Sequence, residues 1–171
     1  MGQKLHAYSV GLSQADILAC ISSMRATTGM EELIRKLSAA NWDILVLTDA
    51  NSVFVEHWLQ SHECPADAST RQQVCVTGVV TNRAFWQGGR LLLEPCMRQN
   101  ACARCPTNLC KSVALAQWCA ARPPYQRVVY CGDGRNDYCP ASNMPAQAME
   151  FLTMIQSGQV PLVAGSREVR W

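Results

Sequence analysis

WDILVLTDANSVFVEHWLQ, residues 42–60, passes from an unbroken apolar run to an amphipathic one across the small and polar residues TDAN. Ile44 to Leu47 contains no polar residue, the pattern of a strand buried on both faces in a parallel sheet. Asn51 or Ser52 then suits a helix N-cap, because either side chain accepts from a backbone N–H of the first turn. Just upstream, GMEELIRKLSAAN (29–41) spaces Met30, Leu33, Ile34 and Leu37 along one helical face. Glu31 and Glu32 sit at its positive end, and Asn41 is placed to stop it. Helix, strand and helix in close succession is the grammar of an α/β fold.

Working outward, SQADILACISSM (13–24) reads as a helix, with Ser13 and Asp16 spaced as a capping box. Residues 71–95 change character: QVCVTGVV and AFWQGGRLLLEP are β-rich runs, and Gly88–Gly89 marks a hairpin turn. NLCKSVALAQWCA (108–120) returns to helix, and QRVVYCGDG (126–134) repeats the strand-to-loop pattern of 43–51. The strands near 43–48 and 127–131 are expected parallel in one sheet. PAQAMEFLTMIQSG (145–158) is expected as a helix, and the last ten residues as loose chain.

Composition narrows the function classes. The 171 residues suffice for one core of ordinary size, and the net charge of +2 is too small and scattered for a nucleic-acid surface. No apolar run approaches the roughly 20 residues of a membrane span, and the first residues lack an apolar signal core. The chain therefore reads as a soluble cytoplasmic protein with no membrane or nucleic-acid partner, of unspecified oligomeric state. Its ten cysteines are then expected as free thiols. Cys102 and Cys105 have the C-x-x-C spacing of metal sites, and Cys96 and Cys110 are the near candidates to complete a set. With no second close pair or histidine in that segment, no structural zinc is expected there, and a cysteine-rich zinc module is the lesser alternative.

Ligands of an open parallel sheet sit beyond the carboxyl ends of its strands. Thr48, Asp49 and Asn51 follow one strand, and Asp133 and Asp137 follow another. A hydroxyl there can donate to a phosphate oxygen, carboxylates can hold magnesium, and Lys111 at a helix start adds a positive charge. Each has an ordinary alternative: Thr48 as a strand end, Asp49 or Asp137 as a helix cap, Lys111 as a solvated lysine. Together they make an ordered set: hydroxyl, lysine, then G-D-G-x-x-D.

That order resembles the haloacid dehalogenase superfamily of phosphatases, and most closely its phosphoethanolamine/phosphocholine phosphatase and pyridoxal phosphate phosphatase branch. TDANSVFVEHWL is similar to that branch's SDAN-plus-helix block, CARCPTNLCK to its C-x-x-C-P-x-N-x-C-K, and YCGDGRNDYCP to its Y-x-G-D-G-x-N-D-[FY]-C-P. The resemblance covers roughly residues 5–140. It implies a Rossmann-like parallel sheet flanked by helices, Mg2+ as cofactor and a small phosphomonoester as substrate. It further implies that Thr48 binds the transferring phosphoryl group, Lys111 neutralises its charge, and Asp49 and Asn51 face the substrate. Asp133 becomes a magnesium ligand, and Asp137 either orients that ion or holds Lys111. The cysteines around Lys111 become the shapers of its loop.

The resemblance also implies a nucleophilic aspartate in a D-x-D-x-T motif on a first strand, and no D-x-D occurs in the 171 residues. The expectation is a truncated phosphatase: residues 1–28 the remnant of a helical cap, 29–150 an incomplete core, and 151–171 a poorly matched tail. A non-catalytic phosphate-binding protein is the alternative.

Overall fold

The computed structural model describes residues 5–6, 11–62, 76–132, 135–143 and 149–153. The chain divides into two compact units, residues 1–98 and 99–171. It has the expected α/β character, with a mixed sheet flanked by helices. No helix of the described residues is long and apolar enough to cross a membrane.

In the first unit, β1 (Leu5–His6), β2 (Leu45–Asn51), β3 (Gly78–Gln87) and β4 (Arg90–Glu94) form one sheet in the order β1-β4-β3-β2. β2 and β3 are parallel, joined through the helix that follows β2, and the other two pairs are antiparallel. The β3–β4 hairpin turns at Gly88–Gly89 as expected. Both glycines have positive φ (56° and 73°), which a two-residue turn of this hand requires. Ala84, Leu91 and Leu92 are buried in this hairpin, Ala84 and Leu91 on one face and Leu92 on the other.

Three helices accompany this sheet. α1 (Gln14–Ser23) starts with the expected capping box: the Asp16 backbone N–H donates to Ser13 Oγ, and the Ser13 N–H donates back to Asp16 Oδ2 at 2.9 Å. α2 (Met30–Ala39) stops where the sequence places the stop. Asn41 takes φ 58°, Trp42 N–H donates to Leu37 O, and Asn41 N–H donates to Ser38 O, a left-handed cap that satisfies the last carbonyls. α3 (Ser52–Ser61) is capped by Asn51 and docks on α1. His57 Nε2 lies 3.1 Å from Leu18 O and 2.9 Å from Ser22 Oγ, and Trp58 Nε1 donates to Met24 O.

The second unit holds α4 (Lys111–Ala120), β5 (Val128–Gly132), a 3₁₀ turn (Arg135–Asp137), α5 (Tyr138–Asn143) and β6 (Met149–Thr153). β5 and β6 pair in parallel. Among the described residues, its buried ones are Leu109, Cys110, Ala114, Leu115, Tyr130, Cys139 and Pro140, together with Lys111 and Asp137.

Three expectations about elements are corrected. The strands read at 43–48 and 127–131 belong to different sheets rather than one. β2 is an edge strand among the described residues, so Ile44 to Leu47 are half-buried rather than enclosed on both faces. Met149–Thr153 is a strand, not part of a helix over 145–158: parallel pairing with β5 outweighs the helical preference of Met, Glu and Leu. Asp133, residues 63–75 and the tail beyond 153 lie outside the described residues.

Leu109 has no exposed surface and immediately precedes Cys110 and Lys111. Leu109→Ala is expected to destabilise the chain by about 2–5 kcal/mol, the usual cost of such a cavity, measured as a lower urea midpoint.

Candidate active site

In the second unit a lysine and an aspartate 26 residues apart are brought together from two different elements. Lys111 is the first residue of α4, and Asp137 closes the 3₁₀ turn after β5. Lys111 Nζ donates to Asp137 Oδ1 at 2.7 Å, and Tyr130 OH donates to the same oxygen at 2.6 Å. The pair is buried, with Lys111 8% and Asp137 5% exposed, so it needs close geometry and extra hydrogen bonds to offset desolvation. Tyr130, pointing inward from β5, supplies one such bond.

Gly132 makes the approach sterically feasible. A Cβ built there would meet Asp137 Cβ and Cγ at 2.5 Å, closer than real Cβ contacts allow. The first glycine of G-D-G therefore leaves room for the second aspartate. The sequence pattern contained both Tyr130 and Gly132 but assigned neither a role. The available signal was alternation: two residues before Gly132, Tyr130 falls on the same side of its strand.

In the first unit, Thr48, Asp49 and Ala50 form an irregularity in β2. Leu47 pairs with Val80 and Asn51 with Asn82, so three residues of β2 stand opposite one of β3. Asn82, missed in the sequence, holds this bulge. Its Nδ2 donates to Asp49 O at 2.7 Å and Ala50 O at 2.9 Å, while its Oδ1 accepts from the Cys96 N–H. Thr48 Oγ1 accepts from the Ala50 N–H at 3.2 Å, which leaves the hydroxyl able to donate its own hydrogen. Asn51 Oδ1 accepts from Phe54 N–H at 3.0 Å, so the side chain read as substrate-facing serves as the α3 cap. The Ser52 hydroxyl bonds both the carbonyl and the N–H of Ala84, fixing the start of α3 on β3.

The cysteine segment departs from the sequence expectation. The sulfurs of Cys102, Cys105, Cys110 and Cys139 all lie within 4.8 Å of one another, and Cys96 is not among them. The expectation of an incomplete set considered only residues 96–110. The fourth sulfur comes from α5, brought in by the chain reversal after β5. The backbone N–H of Arg104 and then the Cys139 thiol hold the Cys102 thiol down to about 7, whereas burial pushes the Cys105 and Cys139 thiols up.

Magnesium prefers hard oxygen ligands. Among the described residues, the one group of three or more metal-capable side chains is this sulfur set. Asp137 Oδ1 already faces Lys111 and Tyr130. The described residues do not by themselves fit magnesium, and Asp133 lies outside them.

The family model described as "Putative Phosphatase" matches residues 1–154. The chain belongs to that family. This agrees with the resemblance to haloacid dehalogenase-type phosphatases carried by the three sequence blocks. Among its phosphatase relatives, "Probable phosphatase phospho1" of Danio rerio is 34% identical over 161 residues, covering 87% of this chain and 54% of that protein. The pyridoxal phosphate phosphatase PHOSPHO2 of Rattus norvegicus is 30% identical, over 77% of this chain and 54% of its own. The phosphoethanolamine/phosphocholine phosphatase of Homo sapiens is 27% identical, over 76% and 48%. The chain spans about half the length of these curated relatives. Among solved structures, cytosolic 5'-nucleotidase IIIB bound to cytidine shares the fold, with a TM-score of 0.51 at 16% identity, covering 88% of this chain and 46% of its own.

Asp137→Asn removes the charge that compensates Lys111 and is expected to cost about 3–5 kcal/mol of stability. Tyr130→Phe removes only one hydrogen bond from that oxygen and is expected to cost about 1–3 kcal/mol. Chemical denaturation of both variants beside the parent chain checks the order.

Proposed function

We propose that the chain is part of a magnesium-dependent phosphomonoesterase acting on a small phosphate ester of the phosphoethanolamine, phosphocholine or pyridoxal phosphate type. The observation that carries this is the buried Lys111–Asp137 pair, anchored by Tyr130, within a chain of a phosphatase family. A lysine whose ammonium is fixed by a buried carboxylate keeps its position when a dianionic phosphoryl group arrives. Phosphoryl transfer relies chiefly on such positioning and charge neutralisation.

In this reading Lys111 neutralises the phosphoryl group and Asp137 positions Lys111, rather than acting as a direct metal ligand. Thr48 donates its hydroxyl to a phosphoryl oxygen from the bulge that Asn82 holds. Asp49 faces the substrate head group. Asn51 contributes by capping α3 behind that bulge. Asp133 is the residue proposed to bind magnesium, which would supply charge compensation at the phosphate. Attack on phosphorus is assigned to none of the 171 residues, because they contain no D-x-D. That same fact favours, as a second reading, a phosphate-binding role without turnover.

The test uses two proteins, residues 1–171 and the same chain preceded by a family first strand with D-x-D-x-T. The extended protein should hydrolyse phosphoethanolamine or pyridoxal phosphate in the presence of magnesium. There, Asp133→Asn and Lys111→Ala should each lower kcat/KM by at least about 100-fold, in line with the loss of an electrostatic contact to the developing charge. Normal hydrolysis by both variants would overturn the site. Residues 1–171 alone should bind inorganic phosphate without turnover, and Lys111→Ala should weaken that binding.

A further inference from the structure

We propose that Cys102, Cys105, Cys110 and Cys139 form a tetrahedral site for one structural zinc ion. The first observation is distance. Thiolates around zinc lie about 2.3 Å from the ion, so tetrahedral neighbours stand about 3.8 Å apart. Cys102 Sγ is 3.6 Å from Cys139 Sγ, and Cys110 Sγ is 3.9 Å from it. All four sulfurs fall within 4.8 Å of one another, a spacing that suits one ion at the centre rather than a larger polynuclear cluster.

The second observation is the loop that presents them. Gln99 ties it with its side chain: Nε2 donates to the carbonyls of Cys102, Cys105 and Pro106, and Oε1 accepts from the Cys102 N–H. Its backbone N–H also donates to Thr107 O. The loop is thereby shaped before any ion arrives. The third is the donors aimed at sulfur. Backbone N–H groups of Arg104 and Cys105 approach Cys102 Sγ, and Asn143 Nδ2 donates to Cys139 Sγ at 3.4 Å. Such N–H donors stabilise thiolates, the form a metal takes. Cys110 and Cys139 are buried and Cys102 and Cys105 half-buried, which suits a closed structural site with no open coordination position.

The position of the site gives it a task. Cys110 directly precedes Lys111, and Cys139 stands two residues after Asp137. An ion bound by both would fasten the start of α4 to the segment carrying Asp137, next to the ion pair. Zinc binding at four cysteines stands independently of the phosphatase reading and involves no phosphate. On binding, each thiol transfers its proton to solvent as the thiolate–zinc bond forms, so affinity falls at low pH.

The experiment is elemental analysis of residues 1–171 expressed with zinc supplementation and purified without chelator. About one zinc per chain is expected, the stoichiometry of a single four-cysteine site. Cys139→Ser and Cys105→Ser should reduce it to a small fraction, while Cys96→Ser and Cys119→Ser retain it. In case the first two variants fail to fold, the parent chain alone provides a second readout. Mercurial titration of its thiols should release the zinc, and cobalt reconstitution should give the intense visible bands of tetrahedral thiolate coordination. Absence of zinc with no cobalt–thiolate bands would overturn the proposal. So would stoichiometric iron in zinc's place, disulfides among the four cysteines of the freshly reduced protein, or zinc that survives in folded Cys139→Ser.

Discussion

The constraint on which the second unit turns is that two opposite charges, Lys111 and Asp137, are both nearly removed from water. An isolated buried charge costs several kcal/mol, so each depends on the other being held in place. That requirement dictates much of the local design. α4 begins at the lysine, with fully buried Leu109 and Cys110 just before it, while β5 ends in a glycine so that the aspartate can fold back under the strand. Tyr130 takes up further hydrogen-bonding capacity of the same carboxylate oxygen. The position of the lysine ammonium is thereby fixed by the protein's own groups.

The first unit solves a different problem, that of presenting polar atoms at a strand end. A regular strand would keep pairing and turn Thr48 and Asp49 alternately to the two faces. Instead the ladder breaks, and the carbonyls released by the break are taken up by Asn82. The amide of asparagine is well suited to this: it offers two donors to the bulge and one acceptor to the Cys96 N–H. The bulge is thus a built feature with its own buried support.

What the sequence disclosed was local. The Ser13–Asp16 box, the Asn41 stop, the Gly88–Gly89 turn and the helix starting at Lys111 each depend on residues a few positions apart, and each is found where the pattern puts it. The three motif blocks also led to the right phosphatase family. What stayed hidden was long-range. Nothing near Cys102 announces Cys139 as its neighbour, and Asn82 is 32 residues from the carbonyl of Ala50 that it binds. The apolar run at 44–47 signals a strand but not how many neighbours it has, so its edge position was invisible. Met149–Thr153 likewise carries a helical composition that only its pairing with β5 overrides.

Gly132 carries a consequence for how this chain can change over generations. The space a side chain would need there is filled by Asp137 itself. A larger residue at 132 becomes tolerable only once 137 has shrunk, and a smaller residue at 137 strands the lysine. Neither position has a neutral first step, so the two are locked together.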